Sequence, residues 1–145
     1  MSEKKNLRNG SITVDTGILV ELLEDSDLGK VFYQKVLAKL QFQNIYISPL
    51  TDTELKYIFC RRNGYTEAKE LVLKFLKDFI ICSENELRDE AFRLKCNFPM
   101  SIADCYSLAV GRVFNIPVYM IKEREIEKSI DKLLSMVKVI FIDEI

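Results

Sequence analysis

Short apolar runs separated by longer stretches of helical spacing recur along the chain. Ser11-Ile12-Thr13-Val14-Asp15 is rich in β-branched residues and predicts a first strand. Ile45-Tyr46-Ile47, Phe79-Ile80-Ile81-Cys82, Pro117-Val118-Tyr119-Met120 and Lys138-Val139-Ile140-Phe141-Ile142 predict four more. Between them the apolar period lengthens. A helix is expected from Gly17 to Leu23 and another over residues 28–40, where Val31, Phe32, Val36 and Leu40 share a face. Ser48-Pro49 stops the second strand and opens a helix carrying Leu50, Glu54, Leu55, Ile58 and Phe59, which ends at Asn63-Gly64. The next helix opens at Thr66 and aligns Leu71, Val72, Phe75 and Leu76. Ser83, with Glu86 three residues on, reads as the capping box of a helix whose apolar side holds Leu87, Ala91, Leu94 and Cys96. Asn97-Phe98-Pro99 breaks that helix. Ser101 opens another, apolar at Ala103, Leu108, Ala109 and Val113 and closed by Asn115, and a charged helix runs from about Glu123 to Met136.

Apolar strands alternating with helices are the pattern of parallel strands buried on both faces. The expected fold is α/β: an open, doubly wound sheet of about five parallel strands flanked by helices, with functional groups at the carboxyl ends of the strands. Residues 1–10 read as a polar tail and residues 11–145 as a single domain, a division that suits a chain of 145 residues.

Composition narrows the chemistry. Apolar residues make up 48% of the chain, enough for a sizeable core, and no run approaches the roughly 20 apolar residues of a membrane span. Met1–Asn6 is charged, with no apolar segment behind it, so no signal peptide is expected. Cys60, Cys82, Cys96 and Cys105 form no CxxC pair and read as buried reduced thiols, which suits the cytoplasm. The net charge of −1 does not describe a generally basic nucleic-acid binder, although local basic patches remain open. The chain has no His, which removes Ser–His and Cys–His dyads, imidazole acid–base chemistry and His-ligated metals. Gly29-Lys30 lacks the upstream glycine of a phosphate-binding loop, and there is no GxGxxG.

Three acidic residues then stand out at strand-to-helix passages: Asp15, Glu54 and Asp104. Each has an ordinary explanation. Asp15 could cap the first helix, Thr51-Asp52-Thr53-Glu54 could be a capping box, and so could Ser101-Ile102-Ala103-Asp104. Capping does not account for all three lying on one edge of the sheet. Carboxylates brought together repel one another, and a hard cation such as magnesium or manganese relieves that repulsion.

Val14-Asp15-Thr16, the Glu54 of Ser48-Pro49-Leu50-Thr51-Asp52-Thr53-Glu54-Leu55, and Ile102-Ala103-Asp104-Cys105-Tyr106-Ser107-Leu108-Ala109 resemble, in order, the three successive acidic motifs of PIN domains. The resemblance extends over residues 11–142. It implies a Mg2+- or Mn2+-dependent ribonuclease acting on RNA, often the toxin partnered by an antitoxin protein, and usually a homodimer. It also implies that Asp15, Glu54 and Asp104 bind metal and carry catalysis, with Thr16 and Ser101 supporting them. The fourth motif departs. PIN domains place Thr-x-Asp after the fourth strand, where this chain has Met120 and Lys122. Glu123, and less directly Glu125, could take the missing carboxylate's place, or both could belong to a solvated helix. The departure keeps a second reading open, a PIN-like RNA-binding or assembly module without hydrolysis. Arg61 and Arg62 on the Glu54 helix, and Arg112 two turns beyond Asp104, could touch RNA phosphates or be ordinary solvated charges. Phe32, Tyr33 and Tyr57 could stack on bases or pack internally.

Overall fold

The computed structural model describes residues 10–39 and 44–145. Residues 1–9 of the expected tail, and Leu40 at the expected end of the second helix, lie outside them. Five strands form one parallel sheet: β1 (Ile12–Val14), β2 (Ile45–Ile47), β3 (Ile80–Ile81), β4 (Val118–Met120) and β5 (Val139–Phe141). Their order across the sheet is β3-β2-β1-β4-β5. The helices are α1 (Thr16–Leu23), α2 (Asp27–Lys35), α3 (Pro49–Asn63), α4 (Tyr65–Phe75), α5 (Glu84–Asn97), α6 (Ile102–Phe114) and α7 (Ile130–Met136). The expected α/β architecture is the one observed.

The period of two along the strands sorts side chains between two cores. Ile12 and Val14 of β1 and Ile47 of β2 face one side, with Ile18, Leu19, Phe32, Leu55, Phe59 and Val72 of α1 to α4. Val118 and Met120 of β4 and Val139 and Phe141 of β5 face the other, with Leu87, Leu94, Leu108 and Leu133 of α5 to α7. Helices that follow β1 and β2 therefore cover one face, and those that follow β3 and β4 cover the opposite one. The connections reverse direction between β1 and β4, and a crevice opens outside the carboxyl ends of those two strands.

Several local expectations change. The second helix stops at Lys35, and residues Leu37–Lys39 form a 3-10 turn instead. The segment after β4 is not one helix: Arg124–Ser129 is 3-10, and α-helix begins only at Ile130. Ser83 makes no side-chain cap. Leu87, Ala91 and Leu94 are buried at i, i+4 and i+7, but Cys96, two residues past Leu94, points outward and is exposed. Cys60 is half-buried, Cys82 and Cys105 are buried, and none of the four is in a disulfide. Asn115 closes α6 as expected, in the left-handed conformation at φ 55° that Asn tolerates. Among the described residues no helix is long and apolar enough to cross a membrane.

Candidate functional site

The parallel ladder continues one residue past β1: the Asp15 N–H donates to the Tyr119 carbonyl at 3.0 Å. That bond holds Asp15 at the carboxyl edge of the sheet, beside β4. The Asp15 carbonyl accepts from Ile18 and Leu19 and starts α1, but the carboxylate caps nothing. It accepts instead from the Ser107 hydroxyl of α6, at 2.8 Å. The capping explanation fails for Glu54 as well. Ser48 is the N-cap of α3, accepting from Leu50 N–H at 3.0 Å, so Glu54 stands in the second turn, beyond the capping positions. Only Asp104 takes part in a cap. Its backbone N–H donates to Ser101 Oγ at 3.1 Å, which leaves its carboxylate to face Asp15.

Asp15 and Asp104 are 7% and 8% exposed, and their carboxyls are hydrogen-bonded to each other. Burial first, and then the neighbouring Asp104 charge, hold Asp15 well above the ordinary carboxylate range. Burial also raises Asp104, against the lowering effect of its bonds to Asp15 and Ser101. Two carboxyls this close resist ionising together. They form the floor of a cleft of about 600 Å3 whose walls include Glu54 from α3 and Glu123 and Glu125 from the segment after β4. Glu123 is pushed up to about 7, by partial burial first and then by repulsion from Asp104, Glu125 and Glu54. Carboxylates from four parts of the chain thus act on one another across one cleft.

A line of hydroxyls stands beneath it. Thr16 Oγ1 donates to Thr51 Oγ1 at 3.3 Å, and Thr51 Oγ1 lies 3.5 Å from Ser107 Oγ, whose proton goes to Asp15. The Thr16 hydroxyl therefore reaches Asp15 through two intermediaries, while its backbone N–H donates to the Asp15 carboxyl directly. Thr51 and Ser107 are fully buried functional candidates that sequence reading passed over. The signal was present: each is a polar residue in phase with core positions, Thr51 with Leu55 and Ser107 three residues from Asp104.

The three arginines do not line the cleft. Arg61 lies over the Tyr57 ring, Arg62 pairs with Glu24, and Arg112 binds Glu90 at 3.0 Å and the Met136 carbonyl at 2.7 Å. Of the aromatic candidates, Phe32 is core, edge-on to Tyr119, while Tyr33 and Tyr57 are exposed. Lys122 turns outward to Glu144 at 3.1 Å. Among the described residues, the cation that does line the cleft is Lys95 of α5.

The donor set is all oxygen, with neither thiolate nor imidazole, and suits a hard divalent cation such as Mg2+ or Mn2+. Among the described residues no three of these carboxylates form a finished ligand set. The raised Asp15, Asp104 and Glu123 carboxyls reflect burial and the repulsion of these groups for one another. This has a consequence for stability. Carboxyls raised in the folded state keep protons that the unfolded chain has already released. Their contribution is fully present below the ordinary carboxylate range and is lost as pH rises through the folded values, about 7 for Glu123. The melting temperature of metal-free protein is expected to fall between about pH 5 and pH 8, and millimolar manganese is expected to flatten that fall. Differential scanning fluorimetry across pH, with and without the cation, measures both.

The PIN domain family model matches residues 12–128. Solved structures share the fold at low identity. A toxin–antitoxin complex from Klebsiella pneumoniae aligns with a TM-score of 0.65 at 15% identity, covering 90% of this chain and 97% of the other. VapBC-1 from nontypeable Haemophilus influenzae aligns with a TM-score of 0.68 at 12% identity, covering 92% and 98%. VapBC2 from Rickettsia felis, bound to a DNA fragment from its promoter, aligns with a TM-score of 0.61 at 17% identity, covering 81% and 92%. No curated protein matches the sequence significantly.

Proposed function

The chain belongs to the PIN domain family, and from that premise we propose that it is a metal-dependent endoribonuclease. The observation that carries the reading is the convergence of Asp15, Glu54, Asp104, Glu123 and Glu125 on one cleft that has no imidazole to work with. Asp15, Glu54 and Asp104 would hold Mg2+ or Mn2+, with Glu123 supplying the carboxylate that the Lys122 position does not. A bound divalent cation supplies an activated water and an electrophile for a phosphoryl oxygen. The chain's own part is to orient and to exclude water. Ser107, backed by Thr51 and Thr16, fixes one Asp15 oxygen and with it the orientation of a carboxyl that lines the cleft. Ser101 holds the first turn of α6, and with it the Asp104 backbone, in place.

We further read the protein as a cytoplasmic homodimer and the toxin half of a toxin–antitoxin pair. The support is the family together with solved structures of the same fold described as toxin–antitoxin and VapBC complexes. The departure at Lys122, a lysine where the fourth motif has an acid, favours a second reading, an RNA-binding module that does not hydrolyse.

Incubation of purified protein with mixed single-stranded and structured RNA separates the two. Cleavage with manganese or magnesium, and none with chelator, is the expected result. RNA retained intact under every condition selects the binding module.

A further inference from the structure

Five carboxylates in one cleft repel the substrate the proposed function assigns to it. A phosphodiester is an anion, and two divalent cations would offset only four of those five charges. The three arginines that sequence reading offered as phosphate contacts are engaged outside the cleft. Among the described residues, Lys95 is the cation inside it.

Its position is defined. Lys95 lies in the last turn of α5, and its ammonium donates to the Met100 carbonyl in the loop that leads to Ser101 and Asp104. That single bond tethers the ammonium beside the first turn of α6 and leaves two of its three N–H donors free. The side chain is exposed, and among the described residues no carboxylate lies within 4.0 Å of it. The contrast with Lys122 is informative, since that ammonium is already satisfied by Glu144. Lys95 is held near the carboxylates without being neutralised by any of them. Its field still reaches the first turn of α6, where it lowers the buried Cys105 thiol against a burial effect that pushes it up to about 11.

We infer that Lys95 is a substrate-binding residue, its ammonium contacting a phosphate of the RNA strand at the Ser101–Asp104 side of the cleft. The inference rests on the nuclease reading for its ligand and adds a residue that the acidic motifs do not contain. A staple for the α5–α6 loop would give Lys95 a purely structural purpose, and the test separates the two.

Lys95→Gln and Lys95→Arg are compared in two settings. In the first, an Asp104→Asn background keeps a fluorescent single-stranded RNA oligonucleotide intact, and binding is followed by anisotropy across a salt series. Lys95→Gln is expected to weaken binding roughly tenfold and to flatten the salt dependence by about 0.7 in log–log slope, the loss of one single-strand phosphate contact. Lys95→Arg is expected to bind like the parent, with its slope retained. In the second, cleavage is measured in the otherwise unchanged chain, where Lys95→Gln is expected to raise KM. Equal affinity and slope in Lys95→Gln would overturn the inference, as would loss of melting temperature in both variants with no change in slope. A parent that binds RNA but never cleaves it would sink the nuclease reading and leave Lys95 standing. A parent that cleaves, with KM unchanged in Lys95→Gln, would do the reverse. No RNA binding by any form would refute both.

Discussion

Asp104→Asn is expected to lower cation-dependent RNA cleavage by at least about 100-fold, more than the loss of an outer-shell partner usually costs. Asn has nearly the same shape, and the bond from the residue 104 N–H to Ser101 belongs to the backbone, so the start of α6 is unaffected. What disappears is the second negative charge that the buried pair must accept as pH rises. Without that repulsion the metal-free variant is expected to melt at a higher temperature than the parent at about pH 8, where both carboxyls of the parent are most strained. Opposite signs for activity and stability are the diagnostic. A residue present only for capping would give unchanged cleavage and unchanged or lower stability. Cleavage kept within a few-fold of the parent would remove Asp104 from the centre. Lys122→Ala provides the contrast, since it loses an exposed pair with Glu144 that is worth little. Its cleavage is expected to stay within about twofold of the parent, which would place the fourth acidic function on Glu123 rather than at the Lys122 position.

Gly29→Ala is expected to be among the most destabilising single-methyl changes available in this chain. A Cβ at Gly29 would lie 2.3 Å from the Glu21 carbonyl oxygen and 2.7 Å from its carbon. Both atoms are backbone of α1, so no rotamer change relieves the contact and the two helices must separate. The same Glu21 oxygen accepts from Ser26 N–H at 3.2 Å and from Ser26 Oγ at 3.3 Å. Ser26 Oγ in turn caps α2 by accepting from Gly29 N–H at 3.0 Å. Separation therefore loosens the α1–α2 turn along with the packing. Overpacking of this kind costs about 1–3 kcal/mol, and each weakened hydrogen bond about 1 kcal/mol more. For a chain of this size that corresponds to a fall of about 10 °C in melting temperature. Gly17→Ala is the control. Its Cβ would make an ordinary 3.4 Å contact with Ile121 Cδ1, and the gain in helix propensity predicts a small rise. Equal melting temperatures for the two variants would show that α1 and α2 can part freely.

Gly29 also illustrates where sequence reading stops. In sequence it was a fragment of a phosphate loop, and could only be dismissed as one. Its purpose, a close approach of two backbones, depends on a neighbour eight residues away that no pattern of period two or 3.6 reveals. Asp15, Glu54 and Asp104 differ. Their convergence was legible because Asp15 and Glu54 follow β1 and β2, Asp104 opens the second helix after β3, and parallel strands bring their carboxyl ends to one edge. The three arginines failed for a related reason. Helical phase placed Arg61 near Glu54, but a long side chain goes where its partner is: Arg61 to Tyr57, Arg62 to Glu24 and Arg112 to Glu90.

Local periodicity and the connections that parallel strands require were enough to derive most of the elements, the parallel sheet and the edge on which the acids gather. The remainder depended on how the folded chain packs. Packing decided that Asp15 is held by Ser107 instead of capping α1, that burial raises the Asp15 and Asp104 carboxyls together, and that Glu123 rather than Lys122 faces the cleft. It also brought Lys95 from another helix to the same place. Those are contacts between side chains far apart in sequence, and their energies depend on burial and on the charges nearby, which exist only once the chain has folded.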